Sequence, residues 1–256
     1  MAYHCLTDSR DAGSCRKLRG RVLFYLVFVN EPGLSWTGTE RSRVQSYLDR
    51  TTRYLTYCAR RDHQVLTATS VSTQLTMKAP LECEEKAKWR EGFAKAKGFS
   101  GMSALCESLK KSHNTEAVAF VFATKQKGRS YASTAGQGSG FIEALTLYWD
   151  HNSETLLHEL LHLFGAADYY YPPKVKAAAE KYFPNSVMLR SANREIDELT
   201  RYLIGWMDQP TPKAQAMLRD TADVTKEEVD NDPARFKAPP KDGEITALLL
   251  RFPEED

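Results

Sequence analysis

Apolar positions along the 256-residue chain recur with two different periods, and the switches between them mark out the elements. Two stretches are apolar almost without interruption, Val22-Leu23-Phe24-Tyr25-Leu26-Val27-Phe28-Val29 and Ala117-Val118-Ala119-Phe120-Val121-Phe122. Their length and their β-branched and aromatic content predict fully buried strands. From Gln64 to Met77 the pattern becomes alternation, with Val65, Thr67, Thr69, Val71, Thr73 and Leu75 in step, which predicts a strand with one buried face. Phe141 to Trp149 also has strand character.

Elsewhere the period is helical. Glu40 to Arg60 carries Val44, Tyr47, Leu48, Leu55 and Cys58 at helical spacing, and Glu82 to Lys97 and Met102 to Ser112 read as two short helices broken at Gly98 and Gly101. A helix over 152–164 places Leu157, Leu160, Leu161 and Phe164 on one face, with Asn152 as its N-cap. Lys174 to Tyr182 is helix-like, and Asn193 to Trp206 repeats Ile196, Leu199, Leu203 and Trp206 with the same spacing. The glycine-bearing stretch from Thr134 to Gly140 is a loop without the Lys-Ser/Thr ending of a phosphate cradle. The fold class is therefore α/β (α+β), a mixed twisted sheet with long helices.

Composition changes this picture mainly at the ends. A 42% hydrophobic chain of this length supports one sizeable core. We divide it into an N-terminal arm (1–19), a main domain (20–208) and a C-terminal extension or linker (209–256), the last beginning where Gln209-Pro210-Thr211-Pro212 opens a charged, proline-bearing stretch with a final apolar burst at Ile245 to Phe252. The basic residues Arg10, Arg16, Lys17, Arg19 and Arg21 precede the first apolar run and imitate a signal peptide, but Asn30-Glu31-Pro32-Gly33 follows with no small-x-small cleavage site. A net charge of +2 gives no reason to expect a nucleic-acid partner, and no stretch approaches the ~20 apolar residues of a membrane helix. Five cysteines without a C-x-x-C pair suggest neither a disulfide framework nor a cysteine zinc site, so a cytoplasmic setting fits better than secretion.

Candidate chemistry concentrates in His158-Glu159-Leu160-Leu161-His162-Leu163-Phe164-Gly165-Ala166-Ala167-Asp168. Histidines four apart on a helix project side by side, so two imidazole nitrogens can converge on one metal while Glu159 stands beside the open position. Zinc lowers the pKa of bound water to ~7, and a neighbouring carboxylate can take its proton and return it to the leaving amine. Gly165 can end the helix in a left-handed conformation and turn the chain back, so that Asp168 offers a third, oxygen ligand. The competing reading is a pair of buried helix histidines satisfied by ordinary hydrogen bonds.

These residues resemble the long zinc motif of metzincin metallopeptidases, in the snapalysin-like version where aspartate replaces the third histidine. The resemblance covers residues 20 to 208 in outline and is motif-grade from 152 to 206. It implies a zincin-like domain, one catalytic Zn2+, and a methionine turn at Ser186-Val187-Met188, with Met188 as the hydrophobic floor of the site; a core methionine is the alternative. Many members carry a tyrosine two residues after that methionine, whereas Arg190 stands here and is a candidate for oxyanion contact. Tyr169 and Tyr170 are candidates for the cleft wall. Phe141 to Trp149 would be the edge strand along which an extended peptide pairs.

The expected function is a zinc-dependent endopeptidase acting on a peptide or protein substrate, with His158, His162 and Asp168 as ligands and Glu159 as general base. A thermolysin-like assignment would take Glu180, Glu195 or Glu198 as third ligand instead, but leaves Gly165 without a role. Two further alternatives are a binding or effector module keeping the metal as a staple, with Cys5 or Cys58 as a fourth ligand, and a DNA-associated protease using the Arg10 to Arg21 cluster.

Overall fold

The two continuous apolar runs lie side by side in a five-stranded sheet. The computed structural model describes residues 4–78, 88–134 and 142–230. Its strands are β1 (Gly20–Asn30), β2 (Leu66–Thr76), β3 (Ala117–Thr124), β4 (Tyr131–Ser133) and β5 (Ala144–Tyr148). Its helices are α1 (Gly38–Arg61), α2 (Lys88–Ala96), α3 (Met102–His113), α4 (Ser153–His162), α5 (Pro173–Tyr182), α6 (Glu198–Leu203), α7 (Pro212–Asp220) and α8 (Lys226–Asp230). Strand order is β2-β1-β3-β5-β4, with the first four parallel and β4 antiparallel to β5.

Burial on both faces explains the uninterrupted apolar runs. In β1, Val22, Phe24, Leu26 and Phe28 point into the larger core with α1 and α4, while Leu23, Tyr25, Val27 and Val29 point into a second core under α2 and α3. β3 divides by size as well: Ala117, Ala119 and Ala123 face the larger core, and Phe120 and Phe122 fill the second.

Helix α1 begins with a capping box in which Thr37 and Glu40 satisfy each other's backbone N–H groups, so it starts two residues before the predicted Glu40. Two expectations change. The edge strand is not Phe141 to Trp149: β5 lies inside the sheet between β3 and β4, and the short β4 forms the edge among the described strands. The helix expected over Asn193 to Trp206 is only α6, because the Asp197 side chain accepts from the N–H groups of Leu199 and Thr200 and starts it there, while Gly205 at φ +82° ends it. Ile196, Leu199, Leu203 and Trp206 are all buried, so the periodicity reported burial more widely than helix. Of Glu82 to Lys97, residues 82–87 lie outside the described residues, as do 135–140 of the predicted loop and the apolar burst at Ile245 to Phe252.

Residues on both sides of the main domain, among those described, join the core. Leu6, Cys15 and Leu18 are buried in the larger cluster, as are Ala214, Met217 and Val224 beyond the composition change at 209. Arg10 donates from Nε to the Tyr202 carbonyl and lies over that ring, Lys17 pairs with Asp11, and Arg21 with Glu116. Three of the five clustered basic residues are thus engaged within the chain. No helix among the described residues is long and apolar enough to cross a membrane.

Candidate metal centre

Helix α4 is built to present one polar edge from a buried position. Asn152 Oδ1 accepts from Thr155 N–H at 3.0 Å, fixing the first turn, and Leu156, Leu157, Leu160 and Leu161 anchor the helix in the core. The last turn closes through Gly165 N–H to His162 O and Ala166 N–H to Leu161 O, with Gly165 at φ +97°. A side chain at Gly165 would also meet the Ser9 carbonyl oxygen at 2.7 Å, so the N-terminal arm requires a glycine there independently of the turn. The chain then doubles back and brings Asp168 to the histidines.

Asp168 Oδ1 lies 3.1 Å from His158 Nε2 and 3.1 Å from His162 Nε2, and the two nitrogens are 3.2 Å apart. Ligands at 2.0–2.1 Å from a tetrahedral centre stand about 3.3–3.4 Å from one another, close to this triangle. The tautomers agree with that use. His158 Nδ1 faces the Val187 carbonyl at 2.9 Å and His162 Nδ1 faces the Ala166 carbonyl at 2.8 Å. Carbonyls only accept, so both Nδ1 atoms carry protons and, in the neutral rings, both Nε2 lone pairs point inward. Asp168 Oδ1 is buried without a hydrogen bond. Three converging acceptor atoms repel one another unless a cation or proton sits among them, so this donor set fits a divalent ion.

The same convergence binds protons firmly. Burial opposes charge on His162, but Asp168 outweighs it and pushes the imidazole up to about 9. Burial likewise opposes ionisation of Asp168, but His162 and His158 hold its carboxyl well below the usual carboxylate range. The other carboxylate oxygen is held from outside: Tyr170 donates its hydroxyl to Asp168 Oδ2 at 2.8 Å, and Arg129 Nη2 donates to the Tyr170 oxygen at 2.6 Å.

A cavity of about 360 Å3 opens onto this edge, walled by His158, Glu159, Tyr170, Arg129, His151 and Arg190 among others. Glu159 is buried and makes no hydrogen bond or ion pair among the described residues, so its carboxylate is available to a molecule in the cavity. A larger hollow of about 690 Å3, lined by Arg16, Lys17, Arg19, Lys110, Glu107 and Glu116 among others, contains none of the converging ligands.

The remaining site expectations separate. Met188 is fully buried in the larger core, and its turn serves the site through the backbone: Val187 O orients His158, and Met188 O accepts from Tyr169 N–H. Tyr169 does not line the cleft; it is fully buried with its hydroxyl 3.0 Å from Thr200 Oγ1. Tyr170 lines the cavity, though its hydroxyl is spent on Asp168. Arg190 reaches the cavity rim, exposed and 3.5 Å from Glu180.

Among the described residues, His158, His162 and Asp168 form the one group able to hold a metal. Glu180 faces Arg190 and Lys176, Glu195 is exposed, and Glu198 accepts from Thr211, so none is a third ligand. Cys5 lies beside the Thr221 carbonyl with its thiol pushed by burial up to about 11, and Cys58 sits beside Tyr54 on α1; neither joins the group.

Sequence reasoning missed four supporting residues: Arg129, Ser130, His151 and Asp197. Asp197 is buried and accepts from Ser186 Oγ and Thr200 Oγ1, each at 2.6 Å, and from the N–H groups of Leu199 and Thr200. Burial raises its pKa, with those donors opposing. Ser186 Oγ in turn accepts from Met188 N–H, so this carboxylate shapes the turn that carries Val187 O. An aspartate preceding an apolar helical repeat is an N-cap signal that marks its position, though not its reach. Compared with protein-family models, curated proteins and solved structures, the chain matches none of them.

Proposed function

We propose that this protein is a zinc-dependent endopeptidase of the metzincin kind, with His158, His162 and Asp168 holding the ion and Glu159 handling the proton. The observation that carries the reading is the triangle of ligand atoms, 3.1, 3.1 and 3.2 Å on its sides, beside an uncommitted buried carboxylate in one cavity. Three protein ligands and an open side suit a catalytic ion better than a closed structural site. Two imidazoles and one carboxylate also suit ferrous iron, and Glu159 is what favours zinc, because hydrolysis needs a base at that place and oxygen activation does not.

The ion, when bound, supplies Lewis acidity that polarises a carbonyl and makes water acidic enough to lose a proton near neutrality. Glu159 takes that proton and passes it to the leaving nitrogen. The Arg129–Tyr170 pair keeps Asp168 aimed at the imidazoles, and Val187 O and Ala166 O keep the rings turned inward. The outer edge of β4, which follows directly on cavity residue Ser130, is where an extended peptide would add a strand.

The test is cleavage of an internally quenched peptide library by the full-length protein, with the bound metal identified by mass spectrometry. Cleavage removed by chelator, restored by zinc and abolished by Glu159→Gln supports the proposal. Zinc-loaded protein inert towards every peptide, or a chain that retains iron and rejects zinc, overturns it.

A further inference from the structure

We propose that His151 is a catalytic hydrogen-bond donor, giving its Nε2–H to the scissile carbonyl oxygen of the substrate and to the oxyanion that oxygen becomes; the role rests on the endopeptidase reading above. The argument starts at Ser130, immediately before β4. Its Oγ accepts from Tyr148 N–H at 3.0 Å and is in hydrogen-bond contact with His151 Nδ1. The hydroxyl has one proton, Nδ1 is the acceptor it meets among the described residues, and we place that proton on the Nδ1 side. Nδ1 is then an acceptor, and the ring carries its own proton on Nε2.

That second nitrogen is unused. Nε2 has no hydrogen-bond partner among the described residues, and the ring walls the same cavity as His158 and Glu159. The ring is held from two sides, by the β4–β5 hairpin through Ser130 and by the backbone of its own turn, where His151 N–H donates to Tyr148 O at 3.1 Å. Burial lowers the pKa of the imidazole, with Asp150 and Glu159 opposing and Arg129 assisting, which keeps the ring a neutral donor.

The other side-chain donors on the cavity wall are already engaged or exposed, and Arg129 donates to the Tyr170 oxygen at 2.6 Å. The post-methionine turn offers Arg190, whose side chain is 64% exposed and, among the described residues, pairs with Glu180 at 3.5 Å. Tyr170 already gives its proton to Asp168. A preorganised donor removed from such a site lowers turnover by ~10²–10³.

The proton and electron count closes without His151 changing state. As the water oxygen bonds to the carbonyl carbon, one water proton passes to Glu159 and the C=O π pair moves onto the carbonyl oxygen. Nε2–H stabilises that charge and keeps its proton. When the C–N bond breaks, the proton on Glu159 goes to the leaving nitrogen and the oxyanion pair re-forms the C=O bond.

Three variants of the full-length protein test this: His151→Ala, His151→Gln, which retains a side-chain N–H donor, and Ser130→Ala. In metal-free protein labelled with 15N-histidine, the His151 signals should show the Nε2–H tautomer at neutral pH, and Ser130→Ala should mix in the other. Reloaded with zinc, His151→Ala should keep wild-type zinc stoichiometry and KM but lose ~10²–10³-fold in kcat. Its affinity for a phosphinic peptide built on the best-cleaved sequence should fall by the same factor, and His151→Gln should recover part of both. An Nδ1–H tautomer or an imidazolium, or unchanged kcat and phosphinate affinity in His151→Ala, overturns the assignment while leaving an active wild type a peptidase. A wild type that cleaves nothing overturns the peptidase reading and this role with it. Should His151→Ala fail to fold, an unchanged kcat in Ser130→Ala together with an Nδ1–H signal overturns the assignment equally.

Discussion

Residues 152–168 and residues 186–200 meet at the same site but are held there in opposite ways. The first segment is shaped by neighbours in sequence: Asn152 caps Thr155, histidines one turn apart face the same way, and Gly165 reverses the chain. The second is not helical until Glu198 and takes its shape from one buried carboxylate, Asp197, around which Ser186, Leu199 and Thr200 gather. The first segment displays the chemistry; the second aims it, through Val187 O on His158 Nδ1. Substitutions of His158, Glu159, His162 or Asp168 in the first should therefore abolish function at little cost in stability, and those in the second should do the reverse.

The sharpest test of that contrast is Asp168→Ala. It should abolish stoichiometric zinc retention on dialysis while the metal-free variant still folds, read by metal analysis and circular dichroism; retained zinc would break the contrast at its centre. Next, Glu159→Gln should keep both zinc and melting temperature but lower turnover by ~10²–10⁴, measured on the best library peptide. Asp197→Ala belongs to the other class. It strands two hydroxyls and frees a helix start, so urea denaturation should show a loss of about 3 kcal/mol, with metal affinity falling less than in Asp168→Ala.

Two smaller effects refine the comparison. Gly165→Ala places a side chain at φ +97° and against the Ser9 carbonyl, and should destabilise by about 2 kcal/mol. If shortening the N-terminal arm relieves none of that loss, the Ser9 contact is not its cause. Tyr170→Phe removes the donor to Asp168 Oδ2 and should weaken zinc binding by roughly tenfold without shifting the metal-free melting temperature, as competition with a zinc chelator would show.

The course of both cores was legible because burial imposes periodicity. The uninterrupted runs became β1 and β3, buried on both faces, and the 3.6-residue repeats became α1, α3, α4 and α5. The same signal misled at Asn193 to Trp206, where four evenly spaced buried residues serve an extended segment as well as a helix. Periodicity reports which positions face inward, and a short irregular segment can face inward at helical intervals. It also gave no warning that β4, only three residues long, lies outside β5 and follows directly on cavity residues Arg129 and Ser130.

Within the site, the convergence of His158, His162 and Asp168 was readable and its supports were not. His158, His162 and the turn to Asp168 follow from spacing within eleven residues, over which helix geometry and one left-handed glycine determine direction. Arg129 on Tyr170, Val187 on His158, Ser130 on His151 and Ser9 against Gly165 join positions 21 to 156 residues apart. Local sequence carries the elements and the placing of side chains within one of them, because backbone sterics and hydrogen bonding act over a few residues. Strand order, the edge, the inward tautomers and the buried carboxylate under the turn were decided only by the tertiary structure, because each depends on which distant polar groups burial forces into contact and which partners remain to satisfy them.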